Sequence, residues 1–264
     1  MATTVISPTK AVQNMTPNYE VRLLLSPTAV LSSKHELTDT VLSTFNTAST
    51  TAINVQFLDT CSKDIYKADW SARIRKTENK DEFELTYKKR YDITGSDIDA
   101  ALTTANNDGF DAGDTNYKAQ VEWGYEKKTL SISRKKDIPS TDRGTDLPGI
   151  GKSRKMLIDE APGKFDNWHH DKWGTKALAM SRIFGNVLFR RSVGTWNGIE
   201  LDLEVWPILN LAGTEDEYIV EASFKTKSRT TALAEQKSLA DDLQSKGWLL
   251  AQDSLKTQLI MERY

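Results

Sequence analysis

Charged and apolar side chains alternate, residue by residue, in five separate stretches of this chain, and no other feature constrains its fold as strongly. Side chains on a strand point to opposite faces with period two. In Tyr19-Glu20-Val21-Arg22-Leu23-Leu24-Leu25 that period puts Glu20, Arg22 and Leu24 on one face. In Ala72-Arg73-Ile74-Arg75 it pairs Arg73 with Arg75. Glu84, Thr86 and Lys88 share a face opposite Phe83, Leu85 and Tyr87. Glu200, Asp202 and Glu204 alternate with Ile199, Leu201, Leu203 and Val205, and Glu221, Ser223 and Lys225 with Val220, Ala222 and Phe224. An antiparallel sheet with one wet face shows the same alternation. The mixture of paired cations on some strands and paired carboxylates on others favours a different arrangement. It points to a sheet curled into a barrel or tunnel, whose charged interior holds a multiply charged ligand.

A chain of 264 residues makes one large domain or two small ones. We expect a flexible Thr-, Ser- and Pro-rich segment over residues 1–17 and a single domain over 18–264. The net charge of −2 argues against a nucleic-acid-binding surface. A single cysteine, Cys61, excludes an intramolecular disulfide and a cysteine zinc cluster, and favours a reducing compartment, the cytoplasm. No stretch approaches the length of a membrane span, and no membrane partner is expected. Oligomeric state is left open.

Strands are expected at 19–25, 53–60, 70–75, 82–91, 117–123, 129–134, 187–193, 199–206 and 218–225. The strand 117–123 puts Gln120 and Glu122 on one face, and 187–193 carries Arg190 and Arg191. Ser33 and Glu36 form a capping box that opens a helix with Leu37, Val41, Leu42 and Phe45 at helical spacing. Residues 177–183 read as helical. A last helix over 230–246 turns Leu233, Leu239, Ala240 and Leu243 inward and stops at Gly247. Residues 92–116 read as a partly helical insert and 135–155 as a loop. Insertions near 92–116 and 135–172 would close or reshape a tunnel mouth.

Other chemistries find little support. Asp166-Asn167-Trp168-His169-His170-Asp171 holds histidines and aspartates, but adjacent histidines point different ways, so no metal site is read there. There is no Gly-rich phosphate loop and no Gly-x-Ser-x-Gly elbow. Cys61 has no evident activating histidine. With three histidines in the chain, acid–base work falls to carboxylates, lysines or bound water.

The chain resembles the CYTH superfamily, the triphosphate tunnel metalloenzymes. Glu20-Val21-Arg22-Leu23-Leu24 stands where that family has a Glu-x-Glu-x-Lys strand. Phe57-Leu58-Asp59-Thr60 followed by Trp70-Ser71-Ala72-Arg73-Ile74-Arg75 is similar to its Leu-Asp-Thr and Leu-Arg-x-Arg run. Phe83-Glu84-Leu85-Thr86-Tyr87-Lys88 resembles its Leu-Thr-x-Lys strand, and Phe189-Arg190-Arg191 a later Arg-bearing strand. Leu203-Glu204-Val205-Trp206-Pro207 resembles its Leu-Asp-x-Trp-Pro segment. Tyr218-Ile219-Val220-Glu221 and Ser254-Leu255-Lys256 resemble its closing elements. The match spans roughly residues 19 to 260.

The resemblance implies an α+β fold: an eight-stranded antiparallel β-barrel, or tunnel, flanked by helices. It implies phosphate contacts from Arg73, Arg75, Lys88, Arg190 or Arg191, and Lys256. Glu20, Glu122, Glu204 and Glu221 would hold Mg²⁺ or Mn²⁺ and water. The function implied is a phosphohydrolase acting on inorganic triphosphate or an organic tri- or diphosphate. The alternative is a non-hydrolytic or repurposed relative that binds an anionic or bulky organic ligand. The chain departs from the pattern at three positions: Arg22 stands for the second Glu, Leu24 for the Lys, and Ser223 for a second Glu on the closing strand. Glu20 and Arg22 are both carried as site residues, and Arg22 would repel a metal ion.

Overall fold

The computed structural model describes residues 12–141 and 143–264, and residues 1–11 of the expected flexible segment lie outside these. The end of that segment is held in place. Asn14 bridges to Asp111, and Met15 is buried.

Ten strands form one sheet: β1 (Asn18–Leu25), β2 (Ser49–Asp59), β3 (Trp70–Thr77), β4 (Glu82–Asp92), β5 (Lys118–Trp123), β6 (Lys128–Pro139), β7 (Arg182–Trp196), β8 (Ile199–Leu209), β9 (Asp216–Thr226) and β10 (Leu249–Leu250). The order is β1-β5-β6-β4-β3-β2-β7-β8-β9, and β9 pairs back onto β1, so the sheet closes into a barrel. Closure leaves no long unpaired edge. The short β10 covers the end of β1 that β5 does not reach.

The strand count corrects the expected eight. Nine strands close the barrel, matching in number the nine strands expected along the sequence. The pairing is antiparallel except between β1 and β5, where Glu20 lies level with Glu122. That parallel pair follows from the connectivity. Strands β2, β3 and β4 and the insert of 93–117 separate β1 from β5, so no tight hairpin joins them.

A charged interior puts the apolar faces of the strands outward, and these must be covered. The two insertions do much of this, rather than simply framing a tunnel mouth. The helix Ile98–Asn107 packs on β4 and β6. Trp70, fully buried, packs edge-on against Phe165 and Trp168, and Phe110 closes the same cluster. The supposed loop 135–155 is partly strand, since β6 runs to Pro139 opposite Glu82, and partly the helix Ile150–Asp159. Leu157 of that helix is buried, and its carbonyl accepts a hydrogen bond from the Tyr87 hydroxyl. Buried Gln56 donates to the Pro148 carbonyl and to Ser153. The helix Arg229–Ser245 lies on β1, with Ala232, Leu239, Ala240 and Leu243 buried and Leu233 turned out at 58% exposure, which corrects its expected inward place.

Two further helices differ from expectation. Thr38, not Ser33, caps a short helix at Asp39–Thr44. Leu37 instead bridges to Leu31, and His35 has φ 58° and stacks on Tyr218. The helix expected over 177–183 is Trp173–Ala179, because β7 already begins at Arg182 to pair with Asp59.

A second apolar cluster joins β2, β7 and β8 to the last helix, Lys256–Arg263. Ile53, Val55 and Phe57 meet Phe184, Val187 and Phe189, and Trp206 stacks on Phe189 at 3.6 Å. Ile260 and Met261 of the helix complete it. Phe57, Trp206 and Ile260 also line the charged cavity, so this cluster forms its apolar flank.

Candidate functional site

The strand faces selected by alternation converge on one cavity of about 150 Å³ inside the barrel. Glu20, Arg22, Arg73, Arg75, Lys88, Glu122, Arg191, Glu204, Glu221 and Lys256 all line it. Arg190 does not. With Arg191 turned inward against Glu204, Arg190 falls on the outer face of β7, where it is largely exposed and pairs with Glu36 at 3.4 Å. Residues not singled out for the site also line the cavity: Arg90, Gln120, Lys135, Asp202 and Lys225. Arg90 lies two residues beyond Lys88 on β4, so the same alternation could have found it. Lys135 was missed because the run Lys135-Lys136-Asp137 reads as loop.

The cavity has two chemically distinct walls. On β3, β4 and β6 stand Arg73, Arg75, Lys88, Arg90 and Lys135. On β1, β5, β8 and β9 stand Glu20, Glu122, Asp202, Glu204 and Glu221, interleaved with Arg22 and Lys225. Nine lysines and arginines line the cavity against five carboxylates, in a chain whose net charge is −2. The excess positive charge is therefore local to the interior.

The cationic wall is short of partners. Glu84 serves three cations: Lys135 at 2.6 Å, Arg75 at 3.5 Å and Arg73 at 3.8 Å. The two arginine distances are too long for good hydrogen bonds. The Nε–H groups of Arg73, Arg75 and Arg90 are buried without a hydrogen-bond acceptor, Arg90 lying 3.9 Å from Glu122. Each such group costs about 1–3 kcal/mol until something accepts its hydrogen. Burial, then the neighbouring Arg75, pulls the Arg73 guanidinium down to about 9. Burial pushes Glu84 up, but Arg75, Arg73 and Lys135 outweigh it and hold the carboxyl down to about 2.

Most of the acidic wall is engaged by resident nitrogen donors. Lys88 at 2.6 Å takes one oxygen of Glu122, and Arg22 at 2.9 Å takes the other. One Glu204 oxygen accepts from Arg191 at 2.6 Å. The other accepts from Lys256 at 2.5 Å and from the Trp206 indole at 2.8 Å. Lys256 also reaches Glu221 at 2.9 Å. Glu20 is held by Gln120 at 2.7 Å and Lys225 at 3.3 Å. Burial raises Glu204, yet Lys256 and Arg191 bring it well below the usual carboxylate range. Burial prevails at Glu221, which is raised.

The resemblance calls for Mg²⁺ or Mn²⁺ on Glu20, Glu122, Glu204 and Glu221. A hard divalent ion needs several oxygens free to converge on it at close range. Here both oxygens of Glu20, Glu122 and Glu204 already accept from nitrogen donors. Among the described residues, no group of three or more His, Cys, Asp or Glu is placed to hold a metal ion. The arrangement does not fit a divalent ion.

The Asp59-Thr60 motif has a structural job. The buried Asp59 carboxylate accepts from the backbone N–H groups of Thr60, Ile65 and Tyr66. It thereby ties the end of β2 to the helix Asp64–Lys67. Asp253 does the same near the far end of the chain, accepting from the N–H groups of Tyr125, Glu126 and Lys127. That anchor sets the approach of Lys256 to the cavity.

No protein-family model matches the chain, and no curated protein matches it in sequence. Solved structures do match its fold. A candidate adenylyl cyclase from Hippeastrum, HpAC1, described as having a dominant triphosphatase activity, superposes with a TM-score of 0.53 at 14% identity, over 92% of this chain and 94% of that one. A candidate adenylate cyclase from Bacillus halodurans gives a TM-score of 0.51 at 12% identity, over 92% and 96%. Likeness of this degree is a likeness of fold. The closed barrel and these neighbours together show that the chain shares the fold of these proteins, a closed β-barrel flanked by helices, here with a charged interior.

Proposed function

We propose that the tunnel binds a small molecule carrying a di- or triphosphate group, held on the wall of Arg73, Arg75, Arg90 and Lys135. The observation that carries this reading is the guanidinium Nε–H groups of Arg73, Arg75 and Arg90, which have no hydrogen-bond acceptor, with Arg73, Arg75 and Lys135 crowded around the single carboxylate of Glu84. A polyphosphate offers many acceptor oxygens and several negative charges. Charge-assisted bonds from guanidinium groups are among the strongest available to it, and Arg presents a planar fork that matches phosphate. Phe57, Trp206, Leu255 and Ile260 line the same cavity and would meet an organic portion of the ligand.

Hydrolysis is the second reading, favoured by the fold shared with HpAC1. A metal would supply charge for the attack of water on the terminal phosphorus, but both oxygens of Glu20, Glu122 and Glu204, three of the four carboxylates expected to hold it, are taken. The residues of this chain therefore account for binding, orientation and water exclusion.

The test is calorimetric titration with tripolyphosphate, nucleoside triphosphates, thiamine triphosphate and prenyl diphosphates, alongside a phosphate-release assay. Wild type binds at least one of them, and Arg73→Ala weakens that binding about tenfold or more, the loss of one charge-assisted bond. Unchanged affinity in Arg73→Ala, with the fold intact by circular dichroism, removes the cationic wall from the reading. Phosphate release would establish turnover.

A further inference from the structure

The carboxylates that the resemblance assigns to a metal are held instead by side-chain cations, Arg22 and Lys256 among them. Arg22 points into the barrel from β1, between Glu20 and Leu24 on the same face. Its guanidinium bonds Glu122 at 2.9 Å. Glu20, Glu204 and Glu221 line the same cavity. Burial alone would loosen its proton, and these carboxylates more than reverse that. Beside it, Lys256 bridges Glu204 and Glu221. Arg22 and Lys256 together bring two positive charges, as many as one divalent ion.

We propose that Arg22, seconded by Lys256, is the built-in cation of this tunnel, occupying carboxylate oxygens that a divalent metal would need, so that the chain binds its phosphate ligand without metal. The part concerning the ligand rests on the reading of a phosphate-binding tunnel. The part concerning Arg22 does not. A guanidinium cannot be deprotonated under ordinary conditions and is covalently fixed to β1. It therefore neutralises the carboxylates permanently. A metal ion entering the set would have to take their oxygens from it while meeting its like charge at close range. The position of the cation on β1 is informative as well. Leu24, next on the same face, lies opposite Glu221 and offers no charge to it, so the positive charge reaches Glu221 from Lys256 instead.

Two titrations test this separately. In the first, Mn²⁺ alone is titrated into wild type and into Arg22→Glu, read by calorimetry and by the free-Mn²⁺ electron paramagnetic resonance signal. Wild type binds no Mn²⁺ in the barrel. Arg22→Glu gains one ion, at least about tenfold tighter than any wild-type binding, and loses it again when Glu221→Gln is added. One Mn²⁺ bound by wild type and lost in Glu221→Gln overturns the proposal. The wild-type arm decides this even if Arg22→Glu fails to fold.

In the second, tripolyphosphate is titrated into wild type in chelator and in Mg²⁺. Equal affinity supports the proposal, and binding that appears only with Mg²⁺ overturns it. Failure to bind under either condition counts against the phosphate-binding reading instead, while the Mn²⁺ titration still decides the role of Arg22.

Discussion

Glu84 sets the charge balance of the cationic wall. Ionised, it is surrounded by Arg73, Arg75 and Lys135 and held down to about 2, against the usual 4.5. A carboxyl depressed in the folded state contributes stability above its unfolded value and loses it as pH falls toward its folded value. Glu84→Gln is therefore expected to be less stable than wild type at neutral pH. The gap should close as pH drops from about 4.5 to about 2. Urea unfolding across that range checks this, and a gap independent of pH would mean that Glu84 acts through packing alone. The residue scale also shows where alternation runs out. It puts Arg190 and Arg191 on opposite faces, yet it cannot say which face is the interior. Only the pairing of β7 with β8 does so, by setting Arg191 against Glu204.

Among the elements, the last helix matters most to the cavity. Its first residue, Lys256, is the shared counter-ion of Glu204 and Glu221, while Ile260 and Met261 anchor it in the apolar flank. Removing one partner of a buried ion pair leaves an uncompensated charge, a loss of about 3–5 kcal/mol. Lys256→Met is expected to lose about 3 kcal/mol in denaturant unfolding, and Lys256→Arg much less. Equal losses would show that the site needs the shape of lysine rather than its charge. The Ser254-Leu255-Lys256 element was legible in the sequence, but whether it led into a strand or a helix was not. Its path depends on Asp253 gripping the β5–β6 turn, a contact made more than a hundred residues away along the chain. The insertions were legible as insertions. Their use as cover for the outward apolar faces follows from the barrel being charged inside, which is a property of the closed sheet.

For the whole molecule, a ligand that binds the folded barrel and not the unfolded chain stabilises it by mass action, by about 2.7 kcal/mol at a hundred times its dissociation constant. Tripolyphosphate is expected to raise the melting temperature of wild type, and to do so less in Arg73→Ala. No shift in wild type at saturating tripolyphosphate would leave the interior without its expected ligand.

By itself the sequence determined the alternation, and with it the strands, their charged faces and most of the side chains that line the cavity. These are local properties, because period two is set by the geometry of a single strand. The closure of β9 onto β1, the parallel seam between β1 and β5 and the meeting of Arg22 with Glu122 were decided by the tertiary structure. Arg22 and Glu122 are separated by 100 residues. No local pattern states which distant strands will lie side by side. Hydrogen-bond pairing around the closed barrel settles that, and with it which charges meet.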